Sequence, residues 1–348
     1  MKKEYNINEV ANIFNITTNK IRYYEKKGLL KPIRDENNEY RIFDENHIMT
    51  LQAILLYRTI GLSINDIKEI LTSNSNSNYL NHFNKQWGII NDEIHRLSGI
   101  RKSLEGIIDD LYDADGCNIN NNILDIIEKT YKLDNIKNNW KDKWNFDSWA
   151  KTYDVSVKED RGNLKIYKNY NIILENVFNL VERVNINDLS ILEIGVGTGN
   201  LASKFLKNNY NIIGIDQSRE MLSVAKEKYP KLKVRLGEFL KIPYGDKCFD
   251  VIVSTYAFHH LNNSEKSIAI EEMIRVLKDN GKIIIGDLMF ENKQDEDNVI
   301  KDLSLEQIEE IRDEYYSHID FLEGEFKKFN KELTYKRIDD LNYIVCID

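Results

Sequence analysis

Ile191-Leu192-Glu193-Ile194 runs directly into Gly195-Val196-Gly197-Thr198-Gly199-Asn200, so three glycines stand at alternate positions between an apolar strand and the start of a helix. Lacking Cβ atoms, such a loop lets backbone amides approach a ligand at a helix N-terminus. The spacing is GxGxG, which differs from the GxGxxG of dinucleotide binders. Ser190–Ile194, Asn211–Ile215, Asp250–Val253 and Lys282–Ile285 are short β-rich runs separated by helical stretches. Continuous apolar strands alternating with helices predict a parallel sheet covered on both faces. Asp216 ends the second run, 17 residues after Gly199, where a carboxylate can hold two ribose hydroxyls. Glu238 and Phe239 follow the third strand region and are offered to an adenine ring.

A chain of 348 residues is longer than one ordinary domain. The polar run Thr72–Asn78 and the stretch Asp113–Asn118 are the natural breaks. No apolar stretch reaches the ~18 residues of a membrane span, and no apolar run follows the lysines at the start, so a cytoplasmic protein without membrane contact is expected. Cys117, Cys248 and Cys346 are too dispersed for a disulfide framework or a thiolate metal site, and no metal is expected. Net charge is -9, yet residues 1–72 carry 11 Lys/Arg against 10 Asp/Glu, and Thr17–Arg41 alone carries 7 against 4. A basic patch on an acidic chain is compatible with a DNA-reading end attached to something else.

That end starts with a short helix through Phe14, for which Asn8 is the expected cap, then the turn Asn15-Ile16-Thr17 and a second helix from about Thr18. The pair reads as a helix-turn-helix whose second helix, with Thr18, Lys20, Arg22, Tyr23 and Tyr24, can hold phosphates and read base edges. Farther on, Ile90, Ile94, Leu97, Leu104, Ile108 and Leu111 follow alternating steps of four and three, with Arg101 in the remaining slot. That is a heptad seam.

Ile21-Arg22-Tyr23-Tyr24-Glu25-Lys26-Lys27-Gly28-Leu29-Leu30 resembles the core signature of MerR-family transcription regulators. Tyr40-Arg41-Ile42-Phe43 is similar to that family's wing, and Gly61–Ile67 to its second helical pair, where Ser63 and Asp66 fit a capping box. The resemblance covers roughly residues 5–112. It implies a winged helix-turn-helix, a coiled-coil dimerisation helix where the heptad seam lies, and double-stranded promoter DNA as partner. Thr17, Thr18, Lys20, Arg22, Tyr23, Tyr24 and Arg41 become the expected DNA contacts. Glu39 stands where the family usually has glycine.

The glycine loop, Asp216 and Glu238-Phe239, together with Phe146–Asp154, Phe249–Leu261 and Arg275–Lys282, resemble the class I S-adenosylmethionine (SAM) methyltransferases over roughly residues 146–348. The run Ser254-Thr255-Tyr256-Ala257-Phe258-His259-His260-Leu261 is most similar to the YrrT-like group of small bacterial methyltransferases. Carried over, the resemblance implies that Glu193, Gly195, Val196, Gly197 and Gly199 form the cofactor loop and that Asp216, with Gln217 beside it, holds the ribose. It assigns the adenine to Glu238 and Phe239, the methionyl end to Tyr153, and a place beside the reacting centre to Thr255. His259 and His260 are candidates for acid–base chemistry, and on an extended segment only one of them would face the site. Tyr315 and Tyr316 are candidate pocket or packing residues.

DNA is not the expected acceptor. The Asn/Asp-Pro-Pro-aromatic sequence of base amino methylation is replaced by Ser254-Thr255-Tyr256-Ala257, and Cys248 has no adjoining proline. The expectation is therefore a multidomain chain. An all-α winged helix-turn-helix head (1–72) precedes a coiled-coil helix (79–112) that makes a homodimer. A connecting segment (113–145) with a helix near 121–140 leads to an α/β Rossmann-like class I methyltransferase domain (146–348). The domain would use SAM on a small-molecule acceptor, or would sense SAM or a metabolite without turnover.

Overall fold

A computed structural model describes residues 4–35, 38–72, 79–113, 142–184 and 188–348. Cys117, the helix expected near 121–140 and most of the connecting segment lie outside the described residues. The chain divides into two compact units, Met1–Ile94 and His95–Asp348.

In the first unit, α1 (Ile7–Ile13) and α2 (Thr18–Lys26) form the helix-turn-helix. The cap of α1 is Asn6, not Asn8: Asn6 accepts from the Asn8 and Glu9 amides while Glu9 accepts from the Asn6 amide. A capping box needs an acid three residues on, and only Asn6 has one. Asn15 at φ 49° closes the turn, and the Ile16 amide donates to Ala11 O at 2.9 Å. The wing is an antiparallel ribbon of β1 (Ile33–Arg34) and β2 (Arg41–Ile42). Then come α3 (Glu45–Thr59) and α4 (Ile64–Thr72), the latter started by the reciprocal Ser63–Asp66 bonds that the sequence suggested. Val10, Ile21, Tyr24, Leu51, Ile54, Tyr57 and Ile67 make the core. The 35-residue α5 (Tyr79–Asp113) seats its first turns on this unit, where Ile89 packs on the core and the Gln86 amide donates to Gln52 at 2.9 Å.

The second unit contains α6 (Phe146–Trp149), α7 (Tyr153–Glu159), α8 (Tyr170–Glu182), β3 (Ser190–Ile194), α9 (Ala202–Lys207), β4 (Asn211–Asp216), α10 (Arg219–Lys228), β5 (Lys233–Leu236), β6 (Phe249–Thr255), α11 (Asn263–Val276), β7 (Leu277–Phe290), α12 (Lys293–Ile300), α13 (Leu305–Arg312), β8 (Ser317–His318), α14 (Ile319–Lys327), β9 (Leu333–Arg337) and β10 (Asn342–Ile347). The strand order is β5-β4-β3-β6-β7-β10-β9, parallel as far as β7, with β10 antiparallel to both its neighbours and β8 beside the end of β7. Alternate residues go to opposite faces. Leu192, Ile252, Ile283 and Ile285 pack on one side with Ile268, Met273 and Phe326. Ile191, Val251, Val253 and Ile284 pack on the other with Ile173, Val177 and Phe205. Both faces are covered, so these strands read as unbroken apolar runs. The arrangement is the class I methyltransferase form of the Rossmann-like fold.

Candidate active site

The C-terminal ends of β3, β4 and β6 open on a cavity of about 500 Å³, the edge where parallel α/β sheets hold ligands. At one end lies the loop after β3. Its three glycines have φ of 71°, 51° and 83°, and each answers a different demand. A Cβ on Gly195 would sit 2.5 Å from the Ala257 Cβ, and one on Gly199 would sit 3.0 Å from the Tyr229 ring. A Cβ on Gly197 would meet nothing within 4 Å, because that position faces the cavity.

Asp216, at the end of β4, accepts from the Gly197 amide at 2.8 Å and from the Ser218 amide at 2.9 Å. Burial pushes its pKa up to about 6 against the pull of those two amides. Burial also raises Glu193 well above the carboxylate range, with Asp216 adding to the effect. Glu193 Oε2 and Gln217 Oε1 are buried with no hydrogen-bond partner among the described residues. Two buried acceptors without a protein partner, beside a glycine that leaves room for a ligand, fit the amine and hydroxyl donors of a nucleoside with an amino-acid tail.

Tyr153, Val196, Glu238, Phe239 and Thr255 also line this cavity. Most of the Phe239 ring is buried, with Phe258 edge-on at 5.3 Å. The segment before the sheet closes over the loop through two carboxylates that the sequence pattern does not single out. Asp154 accepts from Thr198 Oγ1 at 2.6 Å and from Asn200 at 3.0 Å, and pairs with Lys228. Asp147 accepts from Ser218 Oγ at 2.6 Å.

The turn after β6 corrects the reading of the histidines. Phe258–His260 is a 3₁₀ turn, not an extended segment. Tyr256, held at φ 50°, turns the chain sharply after β6, and Asp287 Oδ2 then accepts from the Ala257, Phe258 and His259 amides. In that turn the two imidazoles lie 4.1 Å apart and both line the cavity. His259 Nδ1 meets Asp287 Oδ1 at 2.5 Å, which leaves Nε2 as the ring nitrogen for the cavity. Burial disfavours a charged His259, but Asp287 more than offsets this and raises its pKa. His260 is lowered, by burial and then by the neighbouring His259. Its Nδ1 meets Glu314 at 3.0 Å.

One ligand atom each from His259, His260 and Glu314 lie within 4.8 Å of one another, close enough to gather about a metal ion. Tyr316 lines the cavity, whereas Tyr315 is partly exposed. Asp287 was missed in the sequence; its signal is a lone acid in the apolar run Ile283–Phe290. Lys266 was missed too. It is fully buried and donates to the carbonyls of Leu261 and Tyr315, bracing the histidine turn.

In the head, Thr17, Lys20, Arg22 and Tyr23 are exposed along the second helix, and Thr18 is half-buried. Tyr24 is not available to a duplex. It is 3% exposed and faces the core, because a helix start set at Thr18 puts Ile21 and Tyr24 on one inward stripe. Arg41 is half-buried and pairs with Glu25 at 2.7 Å, and Arg34 takes the other Glu25 oxygen at 2.8 Å. The wing is thereby tied to the second helix. Glu39 has φ 58°, the conformation that a glycine adopts without strain.

The fold and its glycine cradle define a class I methyltransferase, and the first unit a MerR-type helix-turn-helix. Family models agree: "MerR HTH family regulatory protein" matches residues 5–74 and "Methyltransferase domain" matches 192–285. The chain is 37% identical over 206 residues to an uncharacterized methyltransferase of Oceanobacillus iheyensis, covering 58% of this chain and 93% of that one. It is 34% identical over 206 residues to one of Alkaliphilus oremlandii, covering 58% and 94%. A solved structure, the PH0226 protein of Pyrococcus horikoshii, aligns at TM-score 0.44 with 19% identity over 52% of this chain and 91% of that one. The chain belongs to this family of bacterial methyltransferases, with a MerR-type helix-turn-helix ahead of it. SAM is its cofactor. No described helix is long and apolar enough to cross a membrane.

Proposed function

We propose that the chain is a dimeric DNA-binding regulator whose methyltransferase domain turns over a small molecule. The His259–Asp287 pair carries this reading. A domain that only sensed SAM would need the glycine cradle, but not a buried imidazole with one nitrogen fixed by a carboxylate and the other left to the cavity. SAM, when bound, supplies a methyl group already activated on a sulfonium, so the protein's work is alignment, exclusion of water and handling of one proton. Glu193, Gly197, Asp216 and Gln217 hold the cofactor. Glu238 and Phe239 would hold its adenine end, and Tyr153 and Thr255, which line the same cavity, would stand toward the reacting centre. His259 takes the acceptor's proton at Nε2 while Asp287 stabilises the ring that forms.

The exposed Thr17, Lys20, Arg22 and Tyr23 are offered to promoter DNA. Along α5, Leu80, Phe83, Ile94, Leu97, Leu104 and Ile108 are all exposed and fall on one heptad seam, which supports pairing with a second copy.

The test incubates the purified chain and SAM with a bacterial metabolite extract and follows S-adenosylhomocysteine (SAH) against a Gly197→Val control. Product above the control supports an enzyme. Tight SAM binding with no product from any extract would return the domain to a sensor.

A further inference from the structure

The far end of the cavity has a definite electrostatic character. Glu159, Asp160, Glu310, Asp313 and Glu314 line it, and Arg161 is the one Lys or Arg side chain among the described lining residues. Arg161 is already paired with Glu159 at 2.8 Å. Asp313 lies 3.9 Å from Lys143, and the other three acids are held in place. Glu310 accepts from the Leu164 amide at 3.2 Å, Asp160 from the Tyr167 amide at 3.3 Å, and Glu314 faces His260. The rings of Tyr153, Tyr167, Tyr170, Tyr256 and Tyr316 line the same cavity. Tyr167 and Tyr170 lie 5.4 and 5.2 Å from Tyr256, so the three rings form one cluster lining the cavity. Burial pushes the Tyr170 hydroxyl up to about 12, so that ring stays a neutral phenol at physiological pH. Neutral aromatic faces backed by carboxylates attract cations and repel anions. A carboxylate, phosphate or thiolate acceptor would have to enter against Asp160, Glu310 and Glu314, the lining acids that no Lys or Arg pairs with among the described residues. His259, 4% exposed and with Nε2 uncommitted, supplies what a cationic acceptor needs before it can react.

We propose that the methyl acceptor is a primary or secondary amine that enters as its ammonium ion. The inference rests on the methyltransferase reading and adds the substrate class. The ammonium gives one proton to His259 Nε2, which frees the nitrogen lone pair. That pair forms the new N–C bond to the cofactor's methyl carbon while the S–C bond breaks with its electrons passing to sulfur. The products are a methylated ammonium and the neutral thioether SAH, and the proton on His259 returns to solvent.

The test uses the full chain and matched sets of one carbon skeleton bearing an amine, an alcohol, a thiol or a carboxylate. Titration calorimetry first measures SAM and SAH affinity, then binding of each probe to the SAH-loaded chain. Mass spectrometry follows methyl transfer from SAM. The expected result is that amines alone bind the loaded chain and alone are methylated, on nitrogen. Glu314→Gln should weaken amine binding about tenfold, the loss of one charge-assisted contact, without moving SAM affinity. Intact SAM affinity with binding or transfer confined to alcohols, thiols or carboxylates would overturn the amine assignment and leave the methyltransferase reading standing. So would SAM binding with no amine bound at all. Failure of the chain to bind SAM would overturn both.

Discussion

His259 Nδ1 lies 2.5 Å from Asp287 Oδ1, although the two residues are 28 positions apart and on different elements. The same carboxylate gathers the amides that shape the histidine turn and also accepts from Leu288 N at 2.7 Å. Asp287 therefore both builds the turn and sets the charge of the ring.

His259 must be neutral to accept a proton, and its pKa is raised by Asp287 against burial, with Glu314 adding to the rise and Lys266 opposing it. The acid limb of kcat/KM should then lie above the ordinary histidine value of ~6.5. His259→Gln should lower kcat on the order of 10²- to 10⁴-fold with SAM affinity unchanged. Turnover should survive dialysis against a chelator. A pH–rate series and an EDTA-treated sample check these, and activity restored only by a divalent ion would reassign the histidine cluster to a metal.

The same pair predicts a stability profile. His259 is raised in the fold, so its contribution is complete below about pH 6.5 and is lost as pH rises through the folded value. Asp287 is lowered against the effect of burial, chiefly by His259, so its contribution is complete above about pH 3.9 and is lost as pH falls through the folded value. The pair should stabilise the domain most between about pH 4 and 6.5. Thermal unfolding across pH should show this maximum in the wild type, and His259→Gln should flatten it.

Gly195 and Gly197 should fail in different ways. Gly195→Ala forces a methyl against Ala257, 2.5 Å away, and should destabilise the domain. Gly197→Val meets no protein atom near its Cβ and should fold, with left-handed strain of about 1 kcal/mol, while filling the space reserved for the cofactor. Denaturation midpoints and SAM titration separate the two; retained SAM affinity in Gly197→Val would show that the loop does not face the cofactor.

In the wing, Glu39→Gly should relieve strain of about 1 kcal/mol and remove a carboxylate from a surface meant for phosphate. The Glu39 carbonyl, which accepts from Arg34 at 3.3 Å, survives the change. Tighter DNA binding at low salt is the expected result, read by fluorescence anisotropy over a salt series.

Leu97 and Leu104 are 51% and 53% exposed on the heptad seam of α5. Replacing both with Glu should convert a dimer to a monomer by analytical ultracentrifugation without unfolding either unit. A wild-type monomer at micromolar concentration would remove the seam's proposed role.

The glycine cradle, the strands of the sheet, the helix-turn-helix and the heptad seam were all legible in the sequence. Each is written in local spacing: alternate glycines after an apolar run, short unbroken apolar runs in strands, steps of three and four in helices. The capping of α1 is legible as well, since Glu9 stands three residues beyond Asn6 and no acid stands three residues beyond Asn8. Whether Tyr24 meets DNA or core depends on which face of α2 is covered, which packing decides. The histidines depend still more on the tertiary structure. Residues 259 and 260 read as a strand extension until Asp287, from another strand, collects the amides around them into a tight turn and brings both rings to one wall. The acids that surround the acceptor end come from α7, α13 and the loops beyond them, distant in sequence and adjacent only once the sheet has formed. The sequence by itself determined the cofactor cradle and the DNA-reading frame, because both are local. Only the tertiary structure decided the charge around the second substrate, because that charge is a sum over segments that folding brings together.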